Sequence, residues 1–182
     1  IERDPNTGEP TGVLFEMGGW LSDRMPRPSG DVLNDYAETA STAFIAAGVT
    51  SVTDAGRDNT VDRMHLYLAM IAEGRFLPRP TVMLSPDGVY PNLESGPGVR
   101  VGATKIAITF SSGEMHPDFE TLVEIISLAH GAGHQVAVHA VEIEAVVMAA
   151  EAFSAVGNRS QIADRRHRIE HASDCPPERK AM

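Results

Sequence analysis

The chain has 182 residues, 42% hydrophobic and 22% charged, a globular composition long enough to bury a sizeable core, which excludes a disordered segment. Asp and Glu number 25 against 15 Lys and Arg, and the densest basic cluster, Arg165-Arg166-His167-Arg168, is flanked by Asp164 and Glu170, so the net charge of −10 argues against a nucleic-acid partner. The lone cysteine, Cys175, excludes an intrachain disulfide or a multi-cysteine zinc site, and no apolar run approaches a membrane span; the expectation is a cytoplasmic protein without a membrane partner.

The opening run from Ile1 to Gly12 is polar and turn-rich, reading as a connection and not as a domain's first buried element, so the chain is expected to begin mid-protein. Asp31 is placed as the N-cap of an alanine-rich amphipathic helix to about Ala47, with Gly48 at its C-terminal stop. A β-branched strand over Val49 to Thr53 leads to Asp54-Ala55-Gly56, and a helix from about Thr60 to Glu73 closes at Gly74 before a strand over Arg79 to Leu84. Ser85 to Gly102 is rich in Gly and Pro and reads as a long excursion loop. Beyond it come a strand over Thr104 to Thr109, a helix from Pro117 to about Gly131, and a strand over Gln135 to His139. A helix over Glu142 to Val156 and a strand from Arg166 to Glu170 complete the pattern. Alternating β and α units of this length predict an α/β fold with one parallel sheet in chain order, open or closed into a barrel.

The histidines carry the chemistry. His139 and His171 fall at the C-terminal ends of two successive predicted strands, where parallel α/β proteins place their ligand sites, and imidazole is the commonest ligand of divalent metals. Period two groups His167, Ile169 and His171 on one face of their strand and Gln135, Ala137 and His139 on one face of theirs. Lys105 lies among apolar neighbours, where an unpaired ammonium is costly; either its stem snorkels to a strand end, or it is converted to a carbamate able to bridge metals.

The segments Arg3 to Leu14, Gly48-Val-Thr-Ser-Val-Thr-Asp-Ala-Gly56, Thr104-Lys-Ile106, Val138-His139 and above all Arg166-His-Arg-Ile-Glu-His-Ala172 resemble the amidohydrolase family 3 branch of the metal-dependent amidohydrolase superfamily. The resemblance implies a (β/α)8 TIM barrel of the amidohydrolase type, present here as a partial barrel of about strands 2 to 6. It also implies a divalent-metal site, usually zinc, of one or two ions, that hydrolyses carbon-nitrogen bonds of a small-molecule substrate. Lys105 matches the fourth-strand ligand position, where a carboxylated Lys or a Glu is used; His139 matches the fifth-strand ligand and His171 the sixth. The family's His-x-His pair and its strand-eight Asp, the general base, have no counterpart here, so residues 1–182 are expected to form the central portion of a longer barrel with no catalytic base of its own. Thr109 to Gly113 also departs from the Asp-Gly pattern that often follows the fourth strand in the family.

A metal-dependent hydrolase of amide or cyclic-amide bonds is therefore expected, the alternative being a non-catalytic barrel scaffold that has lost its metal site. His116, after the fourth strand, is a candidate substrate contact or a solvated loop residue. Asp54 is read as a turn former, Glu170 as an outer-face residue paired with a neighbouring Arg, and Met64, Met70 and Met148 as core filler. Cys175 has no visible general base and is not taken as a nucleophile. Unpaired sheet edges predict self-association into a homo-oligomer.

Overall fold

The computed structural model describes residues 1–14, 17–88, 94–111 and 114–175. The chain divides into two compact units, Ile1–Leu33 and Asn34–Met182. In the first, Asp4 accepts from the backbone N–H groups of Asn6 and Thr7 at 2.8 and 2.9 Å, and a bridge pairs Arg3 with Pro10, so the polar opening is a closed turn. A short helix, α1 (Gly18–Ser22), follows, with the Arg24 guanidinium 4.0 Å from the Trp20 ring centroid.

Helix α2 (Gly30–Ala46) starts one residue before Asp31: the Val32 N–H donates to the Ser29 hydroxyl, so Ser29 caps it and Asp31 sits in its first turn. Its end is as expected, with Gly48 at φ +76° and the Val49 N–H returning to the Phe44 carbonyl.

The second unit is built on a five-stranded parallel sheet, with strands in the order β1 (Ser51–Asp54), β2 (Arg79–Leu84), β3 (Arg100–Ala107), β6 (Val136–Ala140) and β7 (Arg168–His171). A two-stranded antiparallel hairpin, β4 (Thr109–Ser111) with β5 (Glu114–His116), stands between β3 and the next helix and pairs separately. Helices α3 (Val61–Ala72), α4 (Phe119–Gly131), α5 (Ile143–Val156) and α6 (Arg159–Asp164) connect the strands, giving the α/β pattern of a partial barrel.

Apolar side chains at helical spacing fix the packing. On α4, Leu122, Ile126 and Ala129 form one stripe, each fully buried, and meet Val136, Val138 and Ala140 of β6 together with Val146, Ala149 and Phe153 of α5. Each large aliphatic side chain buried this way contributes about 1.5–3 kcal/mol. Asp118 starts α4 by accepting from the Thr121 N–H at 2.8 Å, one residue after the expected Pro117. A second cluster joins Met64 of α3 to Val82 and Leu84 of β2 and to Val99; Met70 and Met148 are buried as well.

Besides the Ser29 cap and the separate hairpin at Thr109, two features depart from the sequence expectation. Strand β3 begins at Arg100, so the excursion after Ser85 is shorter than its composition suggests; residues 89–93 of it lie outside the described residues. Gly102 is a strand residue at the point where the register between β2 and β3 shifts. A Cβ there would stand 3.0 Å from the Val82 carbonyl oxygen, so this glycine serves close strand approach. The second departure is α6, opened by a capping box between Asn158 and Gln161, a helix too short to show apolar periodicity.

Candidate metal centre

Strand register sets out the site. Lys105 pairs with Ala137, Ala107 with His139, and His139 with Glu170. Val136 and Val138 point into the helix-packed core, so Ala137 and His139 face the other way, where Met83, Ala103 and Ala137 form a small apolar cluster. Lys105, two residues after Ala103, emerges on that face. Arg168 of β7 reaches the same face, its Nη2 lying 3.8 Å from the Met83 sulfur.

Lys105 is buried, 5% exposed, and its Nζ donates to Glu170 Oε2. The other carboxylate oxygen of Glu170 accepts from Nε and Nη2 of Arg168, each at 3.3 Å, and Arg168 Nη1 donates to Gln135 Oε1 at 2.7 Å. Burial pushes the Glu170 carboxyl up, but hydrogen bonding and charge from Lys105, with Arg168 behind it, outweigh burial and hold it below the usual carboxylate range. The outer-face placement of Glu170 is therefore corrected: it pairs with a neighbouring Arg, yet on the face of Lys105. The signal was available in part, since a buried lysine demands a carboxylate on its own face of the sheet, here supplied from β7 across the intervening β6.

Alternation along β7 also needs correction. His167 and Ile169 pack toward the helices: the His167 ring stacks on Phe153, and Ile169 joins the core cluster. Regular continuation would send His171 the same way. Instead the backbone turns left-handed at His171 (φ +70°) and Ala172 (φ +47°), and the exposed His171 ring lies edge-on to that of His139, centroids 4.5 Å apart. The two histidines come together, by a route that period two does not describe.

The remaining candidates lie apart from this pair. His116 ends β5, exposed, opposite Thr109. Glu114 is exposed on the same short strand, and Asp118 is occupied as the α4 cap. Asp54 forms the expected turn: its Oδ1 accepts from the Gly56 N–H at 3.1 Å and from Asn59 Nδ2 at 2.8 Å, and its Oδ2 accepts from the Tyr67 hydroxyl at 3.2 Å.

Two imidazoles side by side at the ends of adjacent parallel strands suit two positions of a tetrahedral metal centre. Lys105 donates to Glu170, and an ammonium has no lone pair to give, so as a ligand it fits best as a carbamate. Among the described residues no group of three or more His, Cys, Asp or Glu is placed to hold an ion, so the pair by itself does not make a complete ligand set.

The model of the amidohydrolase family matches residues 1–180. The chain belongs to the amidohydrolase family. No curated protein matches it. Among solved structures, this amidohydrolase chain is similar to an uncharacterized metal-dependent hydrolase from Pyrococcus furiosus, with 22% identity and a TM-score of 0.57 over 75% of this chain and 37% of that one. It is also similar to an uncharacterized metal-dependent hydrolase from Pyrococcus horikoshii OT3, with 16% identity and a TM-score of 0.57 over 74% of this chain and 36% of that one. These likenesses describe the fold. The chain spans a little over a third of the length of either neighbour. No helix among the described residues is long and apolar enough to cross a membrane.

Proposed function

We propose that this chain is the central portion of a metal-dependent hydrolase barrel and contributes His139 and His171 to a divalent-metal centre, zinc in the first instance, that cleaves carbon-nitrogen bonds of a small-molecule amide or cyclic amide. The observation that carries the reading is the His139–His171 pair, gathered at the C-terminal ends of β6 and β7 by a left-handed turn of backbone. Membership of the amidohydrolase family and likeness to metal-dependent hydrolases support it.

A divalent ion held there would supply Lewis acidity toward a carbonyl oxygen. The chain's own residues do the rest of the work at this end of the sheet. His139 and His171 would supply imidazole ligands to the ion. Lys105 stands on the face of His139 as the third ligand position, available once its pairing with Glu170 is exchanged. Glu170 and Arg168 hold the charge balance of that face, and His116 on the neighbouring hairpin is the proposed substrate contact. The proton-transferring carboxylate would come from a strand that residues 1–182 do not include. Sheet edges β1 and β7, each with one neighbour among the described strands, are where further barrel strands would add.

The test is metal content and hydrolysis measured together on the full-length protein. Elemental analysis should find about one or two divalent ions per chain, and a panel of amides and cyclic amides should include a substrate. His139→Asn and His171→Asn should lose metal and turnover together. A full-length protein that binds no divalent ion would instead establish the non-catalytic scaffold, the reading favoured by the Lys105–Glu170 ion pair if that pair is permanent.

A further inference from the structure

A second histidine pair lies on the opposite face of the sheet, at the N-terminal ends of β6 and β7. The Val136 N–H, at the first residue of β6, donates to His167 Nδ1 at 2.9 Å. That donor is a backbone amide, so Nδ1 must carry the lone pair and the proton of the neutral ring must sit on Nε2. Nε2 is 2.9 Å from His130 Nδ1, near the end of α4, and donates to it. The His167 ring lies flat on Phe153 of α5, centroids 5.4 Å apart and planes 9° from parallel. One side chain thus ties the start of β6, the residue before β7, the end of α4 and the middle of α5.

We propose that His167, together with His130, is a pH-sensitive latch that pins the N-terminal ends of β6 and β7 to the helical layer and releases them when the pair takes up a proton. The reason is geometric. A proton on His167 Nδ1 would face the Val136 N–H, donor against donor, and a proton on His130 Nδ1 would face His167 Nε2–H in the same way. Neither can be accommodated without breaking a hydrogen bond whose loss leaves a buried amide unpaired. The charged and titratable neighbours are His130 from α4 and Arg165 from the turn after α6; α5 presents the uncharged Phe153 ring. Asp164, with Gln161, Arg165 and His130, lines an open cleft of about 250 Å³ beside the pair. Arg165 Nη1 also donates to the Gly133 carbonyl at 3.3 Å, holding its positive charge beside the latch.

Burial, and then the charges of His130 and Arg165, push the closed His167 imidazole down to about 4 from its ordinary 6.5. An opened latch would titrate near the ordinary value. Opening is therefore independent of pH above about 6.5 and becomes up to about tenfold easier for each unit that pH falls toward 4. The latch is separate from the metal centre and stands whether or not that centre is catalytic.

Amide hydrogen exchange on the full-length protein tests it, with rates corrected for intrinsic chemistry. Between about pH 7.5 and about pH 5, protection of the Val136 amide should fall on the order of 30-fold more than that of Ile106 in the sheet centre. His167→Asn, whose side-chain oxygen can accept from Val136 but cannot titrate, should keep Val136 protected and remove the pH dependence. Long-range proton–nitrogen spectra of the wild type should show His167 protonated on Nε2 alone at neutral pH. A pH-independent Val136 amide in the wild type, the same acid sensitivity in His167→Asn, or a proton on Nδ1 at neutral pH would each overturn the proposal. Should the Asn variant not fold, the wild-type tautomer and exchange profile decide by themselves.

Discussion

Two histidine pairs flank β6 and β7: His130 of α4 with His167 toward their N-terminal ends, and His139 with His171 at their C-terminal ends. At the N-terminal ends, both ring nitrogens of His167 are committed to partners within the fold, and the ring is stacked on Phe153. At the C-terminal ends, His139 and His171 meet edge to face, one half-buried and one exposed, and the Lys105–Glu170 ion pair lies on the sheet face of His139. The lesson is that a histidine's role here follows from which end of the parallel strands it occupies. A ring that completes the backbone's own hydrogen bonding serves the scaffold, whereas rings at the C-terminal ends of parallel strands stand where such folds place their ligand sites.

Substitution at the two ends is the strongest way to break this contrast. His139→Ala in the full-length protein should lower metal content and turnover by at least about 100-fold, with a melting temperature moved by only a few degrees. Equal loss of stability and activity would mean that His139 is structural. Glu170→Gln comes next: it leaves the Lys105 ammonium buried with no carboxylate, at a cost of about 3 kcal/mol in denaturant unfolding, and part of this should return in the double variant with Lys105→Met. At the other end, His167→Phe should cost about 1–3 kcal/mol by orphaning the Val136 N–H, while metal content per folded chain stays unchanged. In acid the same residue gives a sign. A histidine held neutral by the fold stabilises the folded state above its unfolded value, so stability should decline as pH falls from about 6.5 toward 4, and His167→Asn should flatten that stretch of the profile. The smallest effect is a control: Asp118→Ala removes the α4 cap for about 1 kcal/mol and should move neither histidine pair.

Much of this was legible in the chain. β-branched runs between amphipathic helices specify parallel strands in chain order, and the sheet has that order. His139 was placed by the end of its strand, and Asp54 by the Ala-Gly that follows it. What escaped was controlled by single backbone angles or by contacts distant in sequence. Gly102 reads as loop because glycine disfavours strands in general, yet a strand that approaches its neighbour's carbonyl closely needs it. Alternation from His171 sends Glu170 to the outer face, and this fails because His171 is the residue that leaves the pattern. His167 looked like one more member of a basic cluster, and only the fold brings it to Val136, 31 residues earlier. The hairpin at Thr109 to His116, whose tip at 112–113 lies outside the described residues, carries too few apolar positions to show alternation.

The left-handed backbone at His171 and Ala172 has an evolutionary consequence. Non-glycine residues in that region carry a cost of about 1 kcal/mol each, and here two occur in succession, neither of them a glycine that would relieve it. The protein thus keeps a local tension in exchange for an imidazole aimed at His139. Selection for thermal robustness alone would erode it: Ala172→Gly should raise the melting temperature while loosening the aim of the ring, and a laboratory lineage evolved only for heat resistance should drift toward Gly or Asn at these two positions. A lineage held to activity should keep His171 and accept the lower stability, so that positions 171 and 172 record which of the two demands its history imposed.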